Sequence, residues 1–117
     1  PPMNLIEGSL TAGVFEAPGT RIPGFGDLTQ ARIVLGVRAE DLTVTAGDAA
    51  QISADVFSFE LTGDATQVMV KVGEQFVTAR ADKAYRAHMG QRVGFVTDAS
   101  RCYLFDGQTQ NRLRLNP

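Results

Sequence analysis

The sequence predicts an all-β fold of short antiparallel strands. Three observations carry it. Apolar residues recur at every second position in short runs, and Gly, Pro, Asp and Thr break those runs repeatedly. The only stretch of moderate helix propensity, Ala81 to Ala87, is too short for more than a turn or two.

The first strand is expected over Asn4 to Leu10 and the second over Gly13 to Ala17, with Pro18-Gly19 as the turn that follows. Arg21 to Pro23 reads as a short edge segment, and Pro23-Gly24-Phe25-Gly26-Asp27 as a loop. Ala31 to Val37 is apolar on both faces, as a central strand should be. Leu42 to Ala46 follows, and Gly47-Asp48 turns the chain. The longest candidate, Ala50 to Leu61, changes phase. Ile52, Ala54 and Val56 share one face, then Phe57, Phe59 and Leu61 continue on the other. Such a slip predicts a β-bulge near Val56-Phe57. A long bent strand of this kind lets a small sheet curl into a barrel. After Thr62-Gly63-Asp64, Gln67 to Val72 alternates cleanly, and Gly73-Glu74 is a tight hairpin into Gln75 to Arg80. Gln91 to Thr97 and Arg101 to Phe105 are the last two strands, joined by Asp98-Ala99-Ser100. Asp106 to Thr109 closes as a turn, and the tail Arg112 to Pro117 is expected to fray. The sum is roughly eight to ten strands, which fits a sandwich or a small barrel; spacing alone does not choose between them.

The 117 residues suit one domain, burying roughly two-thirds of the surface they expose unfolded. Hydrophobic residues at 44% and charged residues at 21% are ordinary for a globular chain, which argues against disorder. No apolar run approaches the roughly 20 residues needed to span a bilayer, and no secretory signal is visible. The opening Pro1-Pro2-Met3-Asn4 reads as a linker entering a domain. A net charge of −2 argues against a nucleic-acid or anionic-membrane surface, which needs a basic footprint. One cysteine, Cys102, rules out an internal disulfide, and its apolar flanks predict a small buried thiol.

Chemical constellations are scarce. The Gly, four residues, Gly-Lys-Ser/Thr phosphate cradle is absent, as are a Walker B motif and an ATPase signature motif. Gly24-Phe25-Gly26 has no lysine and precedes Asp27, so it reads as a plain loop. With one Cys and one His, no zinc set exists. A Cys102-His88 nucleophile and base would need a geometry that sequence does not give; His88 reads as a surface residue. Glu40-Asp41 is expected to cap a short turn, with Arg38 as a local ion-pair partner. Phe57, Phe59, Tyr103 and Phe105 could form a base-stacking platform, but with no basic groove beside them they read mostly as core.

Four blocks in order resemble a known family. They are Pro2-Met3-Asn4-Leu5-Ile6-Glu7-Gly8; Leu35-Gly36-Val37-Arg38-Ala39-Glu40-Asp41-Leu42; Glu60-Leu61-Thr62-Gly63-Asp64-Ala65-Thr66; and Gly90-Gln91-Arg92-Val93 with Tyr103-Leu104-Phe105-Asp106. Together they resemble the C-terminal domain of the ATPase subunits of sugar-importing ABC transporters of the maltose-importer type. Ala39, Thr62 and Ala65 depart from that pattern. The resemblance implies a transport-associated OB domain, a small OB-like β-barrel, closed or partly open, filling residues 1–117. It implies a regulatory and dimerisation role, with two copies tethering the ATPase subunits. The expected partners are a second copy, an N-terminal ATPase domain of the same chain and the permease subunits, without nucleic acid or membrane insertion. The location would be cytoplasmic, at the inner membrane. The domain itself would be no enzyme and hold no cofactor, with ATP and magnesium in the missing domain. Arg38, Glu40, Glu60, Asp64, Arg101 and Asp106 are the expected interface and regulatory residues. A free-standing module binding a sugar or oxyanion is the alternative, and a single-strand-binding module is a third reading.

Overall fold

Eleven short strands and the 3-10 turns Ala39–Asp41 and Ala99–Arg101 make up most of the regular structure in a computed structural model, which describes residues 3–46 and 49–114. The expected turn at Gly47-Asp48 lies outside the described residues. The strands are β1 (Met3–Thr11), β2 (Val14–Ala17), β3 (Thr20–Ile22), β4 (Gln30–Arg38), β5 (Thr43–Thr45), β6 (Ile52–Thr62), β7 (Ala65–Val72), β8 (Gln75–Asp82), β9 (Arg92–Val96), β10 (Tyr103–Asp106) and β11 (Arg112–Leu113). Ala81–Ala87 is too short for a helix, and none forms: β8 runs on to Asp82 and a turn follows at Lys83-Ala84. One expectation is corrected: Arg112–Leu113, in the tail expected to fray, pairs with β10 instead.

All pairings are antiparallel, in the order β11-β10-β4-β1-β2-β3-β6-β7-β8, with β9 against β6 and β5 against β9. Two long strands make the sheet curl. β1 pairs with β4 from Met3 and with β2 from Ser9, and its register with β4 shifts between Gly8 and Leu10. β6 pairs with β9 over Ile52–Asp55, then with β7 from Val56 onward. Its register shifts between Val56 and Ser58, so Phe57 is the extra residue of a bulge where the sequence predicts one. A bulge bends its strand and adds twist, which lets one strand serve two parts of a sheet. The core inside the curl includes Phe15, Phe25, Phe95, Ile6, Leu10, Leu35 and Val68, all fully buried.

The sheet is not closed by backbone pairing. Its last strand, β8, runs past the first half of β1, and side-chain amides span the gap. Asn4 Nδ2 donates to the Thr78 carbonyl at 2.8 Å, and the Thr78 N–H donates to Asn4 Oδ1 at 2.9 Å. Gln75 Nε2 donates to the Leu5 carbonyl at 3.2 Å and its Oε1 accepts from the Glu7 N–H at 2.9 Å. Each carboxamide offers a donor and an acceptor side by side, so it can stand where a neighbouring strand's peptide group would. The result is a partly open barrel with a seam of two amides.

Candidate functional site

The six residues singled out as interface candidates fall in three separate places. The first is the end of β4. Arg38 is its last residue, and Ala39–Asp41 make a 3-10 turn that carries Glu40 exposed. The predicted turn is there, but the ion pair is not local. Arg101 Nη1 reaches Asp41 Oδ1 at 3.1 Å from the second 3-10 turn, Ala99–Arg101. Arg38 instead lies with its guanidinium carbon 5.9 Å from the centre of the Tyr103 ring, and that of Arg112 is 4.6 Å from the same ring. β10 places Tyr103 directly opposite Gly36, which brings the ring beside the end of β4.

The second place is the β6–β7 hairpin. Glu60 is exposed on β6 opposite Gln67, and Asp64 in the turn pairs with Arg80 at 2.9 Å. The third is the turn after β10. Asp106 Oδ1 accepts from the N–H groups of Gln108 and Thr109 at 2.8 and 2.9 Å, and its Oδ2 from Gln30 Nε2 at 2.8 Å. The Thr109 and Gln108 amides hold its carboxyl below the usual range. Asp106 is thus a turn-capping residue, with its oxygens engaged within the domain.

Several residues of the four sequence blocks prove structural. A side chain at Gly36 would press on the Met3 thioether and the Phe105 ring. Thr66 is fully buried, and its hydroxyl can donate to the carbonyl of Lys83 or Tyr85, tying down the segment after β8. Asn4 closes the seam.

The loop Gly24-Phe25-Gly26 is no phosphate cradle. The Phe25 ring is buried and its N–H donates to Gly13 O at 3.0 Å. Among the described residues, no three His, Cys, Asp or Glu side chains gather to hold a metal. Cys102 is half-buried, its Sγ donating to Asp98 O at 3.7 Å. Burial is the largest cause and pushes its thiol up to about 11, aided by the nearby charges of Asp98 and Asp41. A nucleophilic cysteine needs the opposite shift.

The aromatic assignment is corrected. The deeply buried rings are Phe15, Phe25 and Phe95. Phe59 packs partly on the core, Tyr103 and Phe105 are half-buried, and Phe57 is 50% exposed. The reason is the bulge. It puts both Phe57 and Ser58 on the outer side and returns Phe59 to the inner face opposite Val68. The outer side also carries Phe76, which the sequence reading left unremarked.

The TOBE domain model matches residues 35–105. The chain belongs to the TOBE domain family. Curated relatives include an uncharacterised ABC transporter ATP-binding protein, YcjV, of Escherichia coli K12, 32% identical over 82 residues. That match covers 70% of this chain and 23% of YcjV. The xylose/arabinose import ATP-binding protein XacK of Haloferax volcanii is 33% identical over 128 residues, covering 97% of this TOBE domain and 33% of XacK. The chain thus spans about a quarter to a third of these relatives' length. Among solved structures, the cytoplasmic molybdate-binding protein ModG, with molybdate bound, superposes with a TM-score of 0.62. The match covers 86% of this chain and 94% of that one at 16% identity, a likeness of fold. No helix among the described residues is long and apolar enough to cross a membrane.

Proposed function

We propose that this TOBE domain is the C-terminal regulatory and dimerisation part of the ATP-binding subunit of a carbohydrate ABC importer. The observation that carries this reading is the match to a xylose/arabinose import ATP-binding protein along 97% of the chain. ATP and magnesium would act in a separate ATPase domain of the same subunit, on the cytoplasmic side of the membrane beside the permease subunits. Two copies of this domain would hold the two ATPase halves together while they open and close. Tethering of that kind raises the effective concentration of one half for the other and favours re-closure. A regulator bound at the arginines around Tyr103, or at the β6–β7 hairpin, would act only as far as it binds the two arrangements differently.

The deciding experiment is an immunoblot of source cells with an antibody to this domain. A band several times heavier than 12.6 kDa supports the importer subunit, and a band at 12.6 kDa overturns it. The fold shared with ModG favours a second reading, a free-standing oxyanion or sugar module. Binding to the native state raises the melting temperature with ligand concentration. A melting temperature unmoved by molybdate, phosphate or a panel of sugars removes that second reading.

A further inference from the structure

We infer that the outer face of β6, β7 and β8, centred on Phe57 and Phe76, is where this domain meets a second copy of itself. The inference rests on the dimerisation reading above and names its surface.

The register sets the rows of that face. Glu60, Gln67 and Arg80 form one row, Ser58, Met69 and Thr78 the next, and Lys71 stands opposite Phe76 in the third. The bulge adds Phe57 to this side. Its ring meets that of Phe76 at 4.8 Å between centres, with planes tilted by 54°, so the two rings join over β7. They are 50% and 46% exposed. Scattered single apolar residues on a surface are ordinary, whereas apolar groups that adjoin on the surface build the kind of patch that serves as a contact surface. Aromatic rings are also the side chains that dominate interface energetics. The bulge interrupts the β6–β7 ladder at the point where it leaves a phenylalanine facing water. Bulges often re-aim a side chain in this way.

The charges around the rings suit a second copy. Asp55 pairs with Arg92 at 3.4 Å, Lys71 with Glu74 at 3.9 Å and Asp64 with Arg80 at 2.9 Å. Phe57 shares one open groove with Asp55, Lys71 and Arg92. Opposite signs are therefore interspersed along the rim. A strongly acidic or basic partner would find no matching field. A copy related by a two-fold axis presents the same patch to itself, so a one-sign patch would repel it and a balanced one does not. Two such sheet faces can pack about 10 Å apart.

Sedimentation of the 117-residue chain over a range of concentrations tests this. The expected result is a reversible dimer whose dissociation constant rises at least about tenfold in the Phe57→Thr, Phe76→Thr double variant, as hot-spot truncation should produce. Circular dichroism keeps the comparison to folded protein. Lys71→Glu, which unbalances the rim, should weaken the dimer too, and more so at low salt. A wild-type dimer unchanged by the double substitution overturns this face and leaves tethering intact. A wild-type monomer overturns both, while the blot of the native gene product still judges the importer assignment separately.

Discussion

At single positions, what a glycine touches decides what can replace it. Gly36 and Gly94 both sit inside strands, yet a Cβ meets different neighbours at each. At Gly36 it would press on the flexible Met3 thioether and the Phe105 ring. At Gly94 it would press on the Cβ of Ala50, fixed to its backbone, and approach the Thr45 carbonyl. A long side chain can swing aside, and backbone cannot. Gly94→Ala should therefore cost about 1–3 kcal/mol, as overpacking does, and Gly36→Ala clearly less, in urea unfolding of both variants. The reverse order would show that Met3 is locked in place. Cys102 makes a second prediction. Its folded thiol, raised to about 11 from 9.0, stays protonated where the unfolded thiol ionises. The folded state then holds more protons between those values, so stability is full below pH 9 and falls as pH rises toward 11. Cys102→Ala should flatten that alkaline decline in a series of thermal melts. Equal declines in the two proteins would mean that other groups cause it.

Among the elements, the seam between β1 and β8 is the least ordinary. Strand edges left unpaired invite pairing with other chains. Here Asn4 and Gln75 cover part of both edges with four hydrogen bonds. Asn4→Ala removes two of these, which at about 0.5–1.5 kcal/mol each should cost about 1–3 kcal/mol. Hydrogen exchange locates the effect. The Thr78 amide, bonded to Asn4, should lose protection, while that of Val77, within the β7–β8 pair, should keep it. Equal exchange at both amides in the variant would mean that β8 opens as a unit. The strands themselves were largely legible in the sequence, because alternation and turn residues are local signals. The bulge was legible too, since a change of phase from Val56 to Phe57 is written in the residue order. The seam was not. Asn4 could be recognised only as one letter of a family block, because its partner Thr78 stands 74 residues away.

For the molecule as a whole, the candidate interface was only half legible. Charge and block similarity pointed to Arg38, Glu60 and Asp64, and these do lie on the surface or at strand ends. They could not show that Asp41 is held by Arg101 from 60 residues away, nor that Phe57 faces water beside Phe76. Those contacts depend on how the sheet curls. Two capped turns flank β10, and their aspartates contribute to the acid response of the domain. Hydrogen bonds from Ser100, side chain then backbone, hold Asp98 below its ordinary value, and Thr109 and Gln108 amides do the same for Asp106. An unfolded aspartate titrates near pH 3.9. Above about pH 5 both groups are charged in both states, and their stabilisation is fully present. As pH falls through the unfolded value toward the folded ones, the unfolded chain binds more protons, and that stabilisation is lost. Asn at both positions keeps an oxygen for the turn amides and cannot titrate. The double variant Asp98→Asn, Asp106→Asn should therefore show a shallower fall in melting temperature between pH 5 and pH 2 than the parent. Parallel curves would assign the acid limit to carboxylates elsewhere, with the ion pairs on the β6–β8 face next to be tested.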